Sequence, residues 1–80
     1  MNIKELIEAL RQADVNDAGT FQRLFAEAMT ISTLEDNDVA TKFGTSRSTI
    51  TRWRNGTTAP HPAMRKIIYA HVINLIKGSK

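Results

Sequence analysis

Apolar residues recur along the first third of this chain at helical rather than strand spacing. The first set stands at i, i+3, i+4 and i+7, as in an amphipathic helix: Ile3, Leu6, Ile7 and Leu10. This helix should end near Ala13, before the turn-rich segment Asp14–Gly19. A second set has the same spacing: Phe21, Leu24, Phe25, Ala28 and Met29. It predicts a second helix, for which Asp17 or Thr20 could be the N-cap.

The next segment predicts a connection and then a short helix. Ile31–Leu34 contains β-branched residues, but it is too short for a strand and has no partner strand, so we expect a connection. A third helix should span about Glu35–Phe43, with Asp36 and Asp38 in its first turn, where the helix dipole favours acidic groups. Gly44 should end this helix.

Capping residues delimit two more helices. Ser46 can cap a fourth helix with its hydroxyl, and Asn55 followed by Gly56 should end it. Pro62 suits the first position of a fifth helix, which should run to about Lys77. The predicted fold class is therefore all-α, with five helices in one domain over residues 1–80.

Composition excludes several classes of protein. The chain has 80 residues and no cysteine, so we expect one domain with neither a disulfide framework nor a thiolate metal site. The first twelve residues break every apolar run with charge, unlike a signal peptide, and no apolar run approaches the 18 residues of a membrane span. We expect a cytoplasmic protein that needs no cofactor and binds no membrane or small-molecule substrate.

Charge is distributed unevenly along the chain. Residues 1–38 carry three basic and eight acidic side chains, whereas residues 39–80 carry eight basic side chains and no acidic one. A basic half of this kind is typical of proteins that bind polyanions. A solvated basic surface without a specific partner would have the same composition. The pattern of residues within the fourth helix is therefore needed to distinguish polyanion binding from such a surface.

The segment Val39–Gly56 predicts a helix-turn-helix. The small side chain of Ala40 lets the two helices approach closely, and Gly44 permits a sharp turn between them. At about 100° per residue, one face of the fourth helix is polar and basic, and it consists of Arg47, Ser48, Thr51, Arg52 and Asn55. The opposite face carries Ile50 and Trp53, for which we predict a core role. Because the polar face lacks acid, it indicates contact with nucleic acid rather than an ordinary wet surface.

The chain resembles the phage Cro and repressor superfamily of helix-turn-helix proteins, also called the XRE family, over about residues 21–76. The resemblance rests on six positions: Ala40, Gly44, Ser46, Ile50, Trp53 and Gly56. It implies a lambda-repressor-like fold whose recognition helix reads the DNA major groove. The base-reading residues that it implies are Arg47, Ser48, Thr51 and Arg52. The phosphate contacts that it implies are Ser46, Asn55 and Thr57.

The neighbourhood of this motif, residues 35–56, departs from the family in places. Arg54 follows the tryptophan where the family often has Glu, and we expect Arg54 and Lys42 to contact phosphates. Glu35–Asp38 stands where the family commonly has a Gln that touches the DNA backbone, and acid there should repel phosphate. The extra helix within residues 1–15 precedes the family's core and has no role that the resemblance transfers.

Neither histidine predicts a metal site, and no side chains predict catalysis. His61 and His71 are too few for zinc, which needs three or four ligands. His61 follows the fourth helix and is a candidate phosphate neighbour. The hydroxyl cluster Thr45–Thr51 lacks a paired base with an orienting acid, so we do not expect an enzyme.

The last predicted helix, residues 62–77, is apolar over an arc of roughly 240°, wider than one small core needs. Either the N-terminal helix covers the excess or a second chain does. We expect a homodimer, with Tyr69, Ile73 and Ile76 in its interface.

Two functions follow from these patterns. The first is a transcriptional regulator, of phage or bacterial repressor type, that reads an operator in double-stranded DNA. The alternative is an antitoxin or adaptor whose helices chiefly bind another protein. Steep loss of DNA binding with salt would distinguish the first from the second.

Overall fold

Five α-helices and their connections make up residues 2–78, the part of the chain that the computed structural model describes, and this part contains no strand. The helices are α1 (Ile3–Gln12), α2 (Ala18–Ser32), α3 (Asp36–Phe43), α4 (Arg47–Asn55) and α5 (Pro62–Gly78). The all-α prediction and the number of helices are confirmed. None of these helices is both long enough and apolar enough to cross a bilayer.

Side-chain caps define where the first two helices begin. Asn2 and Glu5 cap α1 reciprocally: the Asn2 carboxamide oxygen accepts from the Glu5 amide at 2.8 Å, and the Glu5 carboxylate accepts from the Asn2 amide at 3.1 Å. Asp17 caps α2 by accepting from the amide and the hydroxyl of Thr20. Of the two N-cap candidates, Asp17 is therefore the right one.

α2 is longer than the sequence indicated. We expected Ile31–Leu34 to be a connection, but Ile31 and Ser32 belong to α2. The helix continues because Ile31 is half-buried and extends the apolar stripe one more turn, while the Ser32 hydroxyl donates to the Ala28 carbonyl. It ends at Thr33, whose left-handed φ of 56° breaks the helical backbone.

An aromatic cluster at the N-terminal part of α2 forms the centre of the core. The Phe21 ring stacks on Phe25 at 5.4 Å between centroids, and Trp53 meets Phe21 edge-on at 5.7 Å. Tyr69 lies against the same Phe21 ring at 5.6 Å. α2 thus packs against α1, α4 and α5, while α3 packs against α4. This arrangement fixes α4 through its contact with α2.

The proposed dimer-interface residues need correction. Tyr69 is 4% exposed and Ile76 is 1% exposed, so both side chains lie inside this chain's own core and present no surface to a second chain. The physical reason is that α1 and α2 cover this face of α5, with Leu6 and Leu10 of α1 fully buried. Ile73 is half-buried.

A buried arginine joins three segments of the chain. The Arg65 side chain is 7% exposed; its Nε donates to the Pro60 carbonyl and its Nη1 to the Val15 carbonyl, both at 2.8 Å. These bonds tie the start of α5 to the loop before it and to the α1–α2 connection. Arg65 is one of the eight basic side chains counted in residues 39–80, but its charge lies in the interior.

Candidate functional site

The two ends of α4 are set by local hydrogen bonds. At its start the Ser46 hydroxyl oxygen accepts from the Thr49 amide at 3.2 Å and lies 2.9 Å from the Thr49 hydroxyl. At its end Gly56 adopts a φ of 78°, and the Thr57 amide donates to the Arg52 carbonyl at 2.9 Å. Gly44, with a φ of 69°, makes the turn between α3 and α4. A side chain at either glycine would strain these left-handed conformations.

Burial of one face determines which side of α4 points outward. Ile50 is fully buried and Trp53 is 9% exposed, as predicted, and Trp53 packs against the rings of Phe21 and Phe25. Because these side chains lie on one side of the helix, the opposite side faces solvent.

The outward face gathers the residues predicted to read bases. Arg47, Ser48 and Arg52 are exposed, and together with half-buried Thr51 they line one shallow depression. Since α4 contains three arginines and no acidic residue, this face offers hydrogen-bond donors and positive charge.

Asp36 at the start of α3 holds two side chains of α4. Its Oδ1 lies 2.9 Å from Arg54 Nη1, and its Oδ2 accepts from the Thr51 hydroxyl at 2.7 Å. The Asp36 side chain is only 14% exposed. The carboxylate therefore links α3 to α4, and the guanidinium of Arg54 balances its charge.

This linkage changes two sequence-based expectations. Arg54 was predicted to contact phosphate, but it is bound to Asp36 and only partly exposed. Acid in Glu35–Asp38 was expected to repel phosphate; Glu35 and Asp38 are exposed, whereas the Asp36 carboxylate faces the protein. Sequence reasoning missed Asp36 as a site residue because its partners are 15 and 18 positions away, beyond any helical spacing.

The other four candidate phosphate contacts are all exposed. Ser46 is exposed at the start of the helix, and Asn55 and Thr57 are exposed at its end. Lys42 is exposed on α3, but it borders a different hollow, with Phe43 and α5. The structure thus places three of the four beside α4 and the fourth towards α5.

Both histidines make contacts within the protein. His61 Nδ1 accepts from the Ala63 amide at 3.1 Å, and its carbonyl accepts from the Met64 amide at 2.8 Å, so His61 caps α5. The His71 ring lies 5.6 Å from the Phe43 ring. Within residues 2–78, no three His, Cys, Asp or Glu side chains are grouped as a metal site would require.

An apolar groove lies between the α3–α4 turn and α5. Met64 and Ile67 are 48% and 51% exposed, and Phe43, Trp53 and His71 complete its walls. On α5, Met64 and Ile67 are the large apolar side chains that remain most exposed.

Comparison of this chain with protein-family models, with curated proteins and with solved structures finds no match.

Proposed function

We propose that this chain is a sequence-specific, double-stranded DNA-binding regulator of transcription that places α4 in the major groove. The observation that carries the proposal is the outward face of α4, where Arg47, Ser48 and Arg52 are exposed together on a helix without acid. A guanidinium can bind guanine O6 and N7 through two hydrogen bonds, and hydroxyls serve either bases or phosphates.

The dimensions of the α3–α4 pair support a lambda-repressor-like helix-turn-helix. Three residues, Gly44–Ser46, join the two helices. With nine residues, α4 is about 14 Å long, and an α-helix with its side chains is about 10–12 Å across, which fits a major groove about 12 Å wide. A helix anchored by Ile50 and Trp53 can present its outer face to bases without loss of its packing.

A repressor of phage or bacterial type is the form of regulator that we favour. It would act in the cytoplasm, where its operator lies, and would need no cofactor. We propose that it binds as a homodimer, because paired half-sites multiply affinity and specificity. With Tyr69 and Ile76 buried, self-association would have to use other side chains, of which Met64 and Ile67 are exposed and apolar.

The same groove favours a second candidate function. An antitoxin or adaptor would use Phe43, Met64 and Ile67 to hold an apolar segment of another protein. Such a protein should bind duplex DNA weakly at every salt concentration, whereas an operator-binding protein should lose affinity steeply as salt rises.

The test begins with selection of preferred sites from random duplex DNA, followed by titrations with Arg47→Ala and Arg52→Ala. Each variant should bind the selected site about 1–3 kcal/mol more weakly and discriminate less between bases at one position. Arg11→Ala is the matched control, because it removes the same charge from an exposed position on α1, far along the chain from α4.

The control should bind the selected site like the wild-type protein. Circular dichroism should be unchanged in all three variants, since each side chain is exposed. The assignment of the α4 face would be refuted if Arg47→Ala and Arg52→Ala bound the selected duplex as tightly as Arg11→Ala and preferred it over random duplexes to the same extent.

A further inference from the structure

We infer that Thr51 recognises a thymine through its side-chain methyl group, because Asp36 holds its hydroxyl away from the DNA. The inference rests on the proposed function and concerns what one side chain reads. Sequence alone gives Thr51 two possible contacts with a base, a polar one through the hydroxyl and an apolar one through the methyl. The hydrogen bonds around Thr51 distinguish between them.

The hydroxyl of Thr51 is already engaged twice within the protein. Its Oγ1 lies 2.7 Å from Asp36 Oδ2 and 3.1 Å from the Arg47 carbonyl oxygen, which is four residues earlier in the helix. A hydroxyl has a single hydrogen, and both neighbours are acceptors. The donor of Thr51 is therefore used by the protein and is not available to a base or phosphate.

Asp36 keeps this arrangement rigid. Its side chain is 14% exposed, and within residues 2–78 the other side chain that holds it is Arg54 at 2.9 Å. Rotation of Thr51 to offer its hydroxyl to DNA would remove a charge-assisted hydrogen bond from a carboxylate that water reaches poorly. Asp36 thus acts as a positioning residue for Thr51.

The methyl group is the part of the Thr51 side chain that makes no hydrogen bond within the protein. Thr51 lines the depression with Arg47, Ser48 and Arg52, and with Oγ1 turned towards Asp36 the other Cβ substituent is Cγ2. In the major groove, the C5-methyl of thymine is the apolar feature that a threonine methyl contacts. Arg47 and Arg52 lie on either side of Thr51 and can each bind guanine. The preferred DNA sequence should therefore contain a thymine between or beside guanines.

The experiment replaces each thymine of the selected duplex, one at a time, with deoxyuridine. This change removes the C5-methyl and leaves base pairing intact. At one position in each half-site, the wild-type protein should bind about fourfold more weakly, the effect of losing burial of one methyl group.

Two variants separate recognition by the methyl from a merely structural role. Thr51→Ser keeps the hydroxyl for Asp36 but has no methyl, so it should bind thymine and deoxyuridine duplexes equally. Thr51→Val keeps a methyl and loses the hydroxyl, so it should retain the preference for thymine. A polar contact through Oγ1 predicts equal binding of thymine and deoxyuridine duplexes by the wild type and both variants, and a merely structural role predicts that Thr51→Ser discriminates as the wild type does.

The outcomes separate the inference from the function on which it rests. Insensitivity of the wild-type protein to deoxyuridine at every thymine, or a Thr51→Ser variant that still discriminates, overturns the inference while specific binding stands. Failure to select any duplex overturns the proposed function itself. Urea titrations of both variants give their folded fractions, so that affinities refer to folded protein.

Discussion

Replacement of Arg65 by methionine tests whether a buried guanidinium stabilises this fold. Arg65 is 7% exposed and donates to the carbonyls of Pro60 and Val15, each at 2.8 Å. Methionine has a similar unbranched length, so it fills the same space while both hydrogen bonds are lost. The two carbonyl oxygens would then lie beside a thioether that cannot donate.

The expected loss follows from two opposing contributions. A hydrogen bond from a charged donor stabilises by about 1.5–3 kcal/mol, so two of them give an upper limit of about 6 kcal/mol. Methionine recovers part of this, because a buried guanidinium costs desolvation energy and no ion pair to Arg65 occurs within residues 2–78. We expect Arg65→Met to lower the free energy of unfolding by about 2 kcal/mol, a large share of the roughly 4–12 kcal/mol of a domain this size.

Urea unfolding followed by tryptophan fluorescence measures this loss. Trp53 is the sole tryptophan and is nearly buried, so its emission reports the core directly. Lys66→Met is the matched control, because Lys66 is the exposed neighbour and the change removes the same charge and introduces the same residue. The control should stay within about 0.5 kcal/mol of the wild type. Equal midpoints for the two variants would show that the bonds of Arg65 contribute no net stability.

Two further predictions concern Tyr69 and Asp17. Burial raises the pKa of Tyr69, and its hydroxyl has no hydrogen-bond partner within residues 2–78, so Tyr69→Phe should stabilise the protein by about 1 kcal/mol in urea titrations. A clear loss of stability instead would mean that the hydroxyl is hydrogen-bonded in solution. The hydrogen bond from the Thr20 hydroxyl lowers the pKa of Asp17 below 3.8, so its stabilising effect is full above that pH and is lost as pH falls through the lowered value. Thermal unfolding between about pH 6 and pH 2 should therefore show a steeper acid-induced loss for the wild type than for Asp17→Asn, which keeps a capping oxygen but does not titrate; parallel curves would contradict this.

Local patterns in the sequence predicted the helices well, because their causes are local. The caps at Ser46 and Gly56 and the apolar pair Ile50 and Trp53 all act within one or two turns, and the structure has each of them as expected. The predicted end of α2 was wrong. The β-branched segment Ile31–Leu34 suggested a connection, whereas burial of Ile31 extends the helix.

Tertiary relationships were harder to predict. The wide apolar arc of α5 showed that something must cover it, but the period of a helix does not say what does. In the structure, α1 and α2 cover the apolar face of α5, so Tyr69 and Ile76 are core residues. The buried role of Arg65 was not predicted for a related reason. Its partners are the backbone carbonyls of Pro60 and Val15, and because every residue has a carbonyl, the sequence does not identify which ones it binds.

The tertiary contact between Asp36 and Arg54 changes which charged groups the α4 face exposes. Composition gives α4 three arginines, but the pairing of Arg54 with Asp36 leaves Arg47 and Arg52 as its exposed cations. Under the proposed function, the salt dependence contributed by α4 should reflect two guanidinium groups rather than three, because an arginine already paired with a carboxylate displaces no counterion from DNA. Under the same proposal, Asp36 orients Thr51 on the recognition surface through its hydrogen bond and does not itself face DNA.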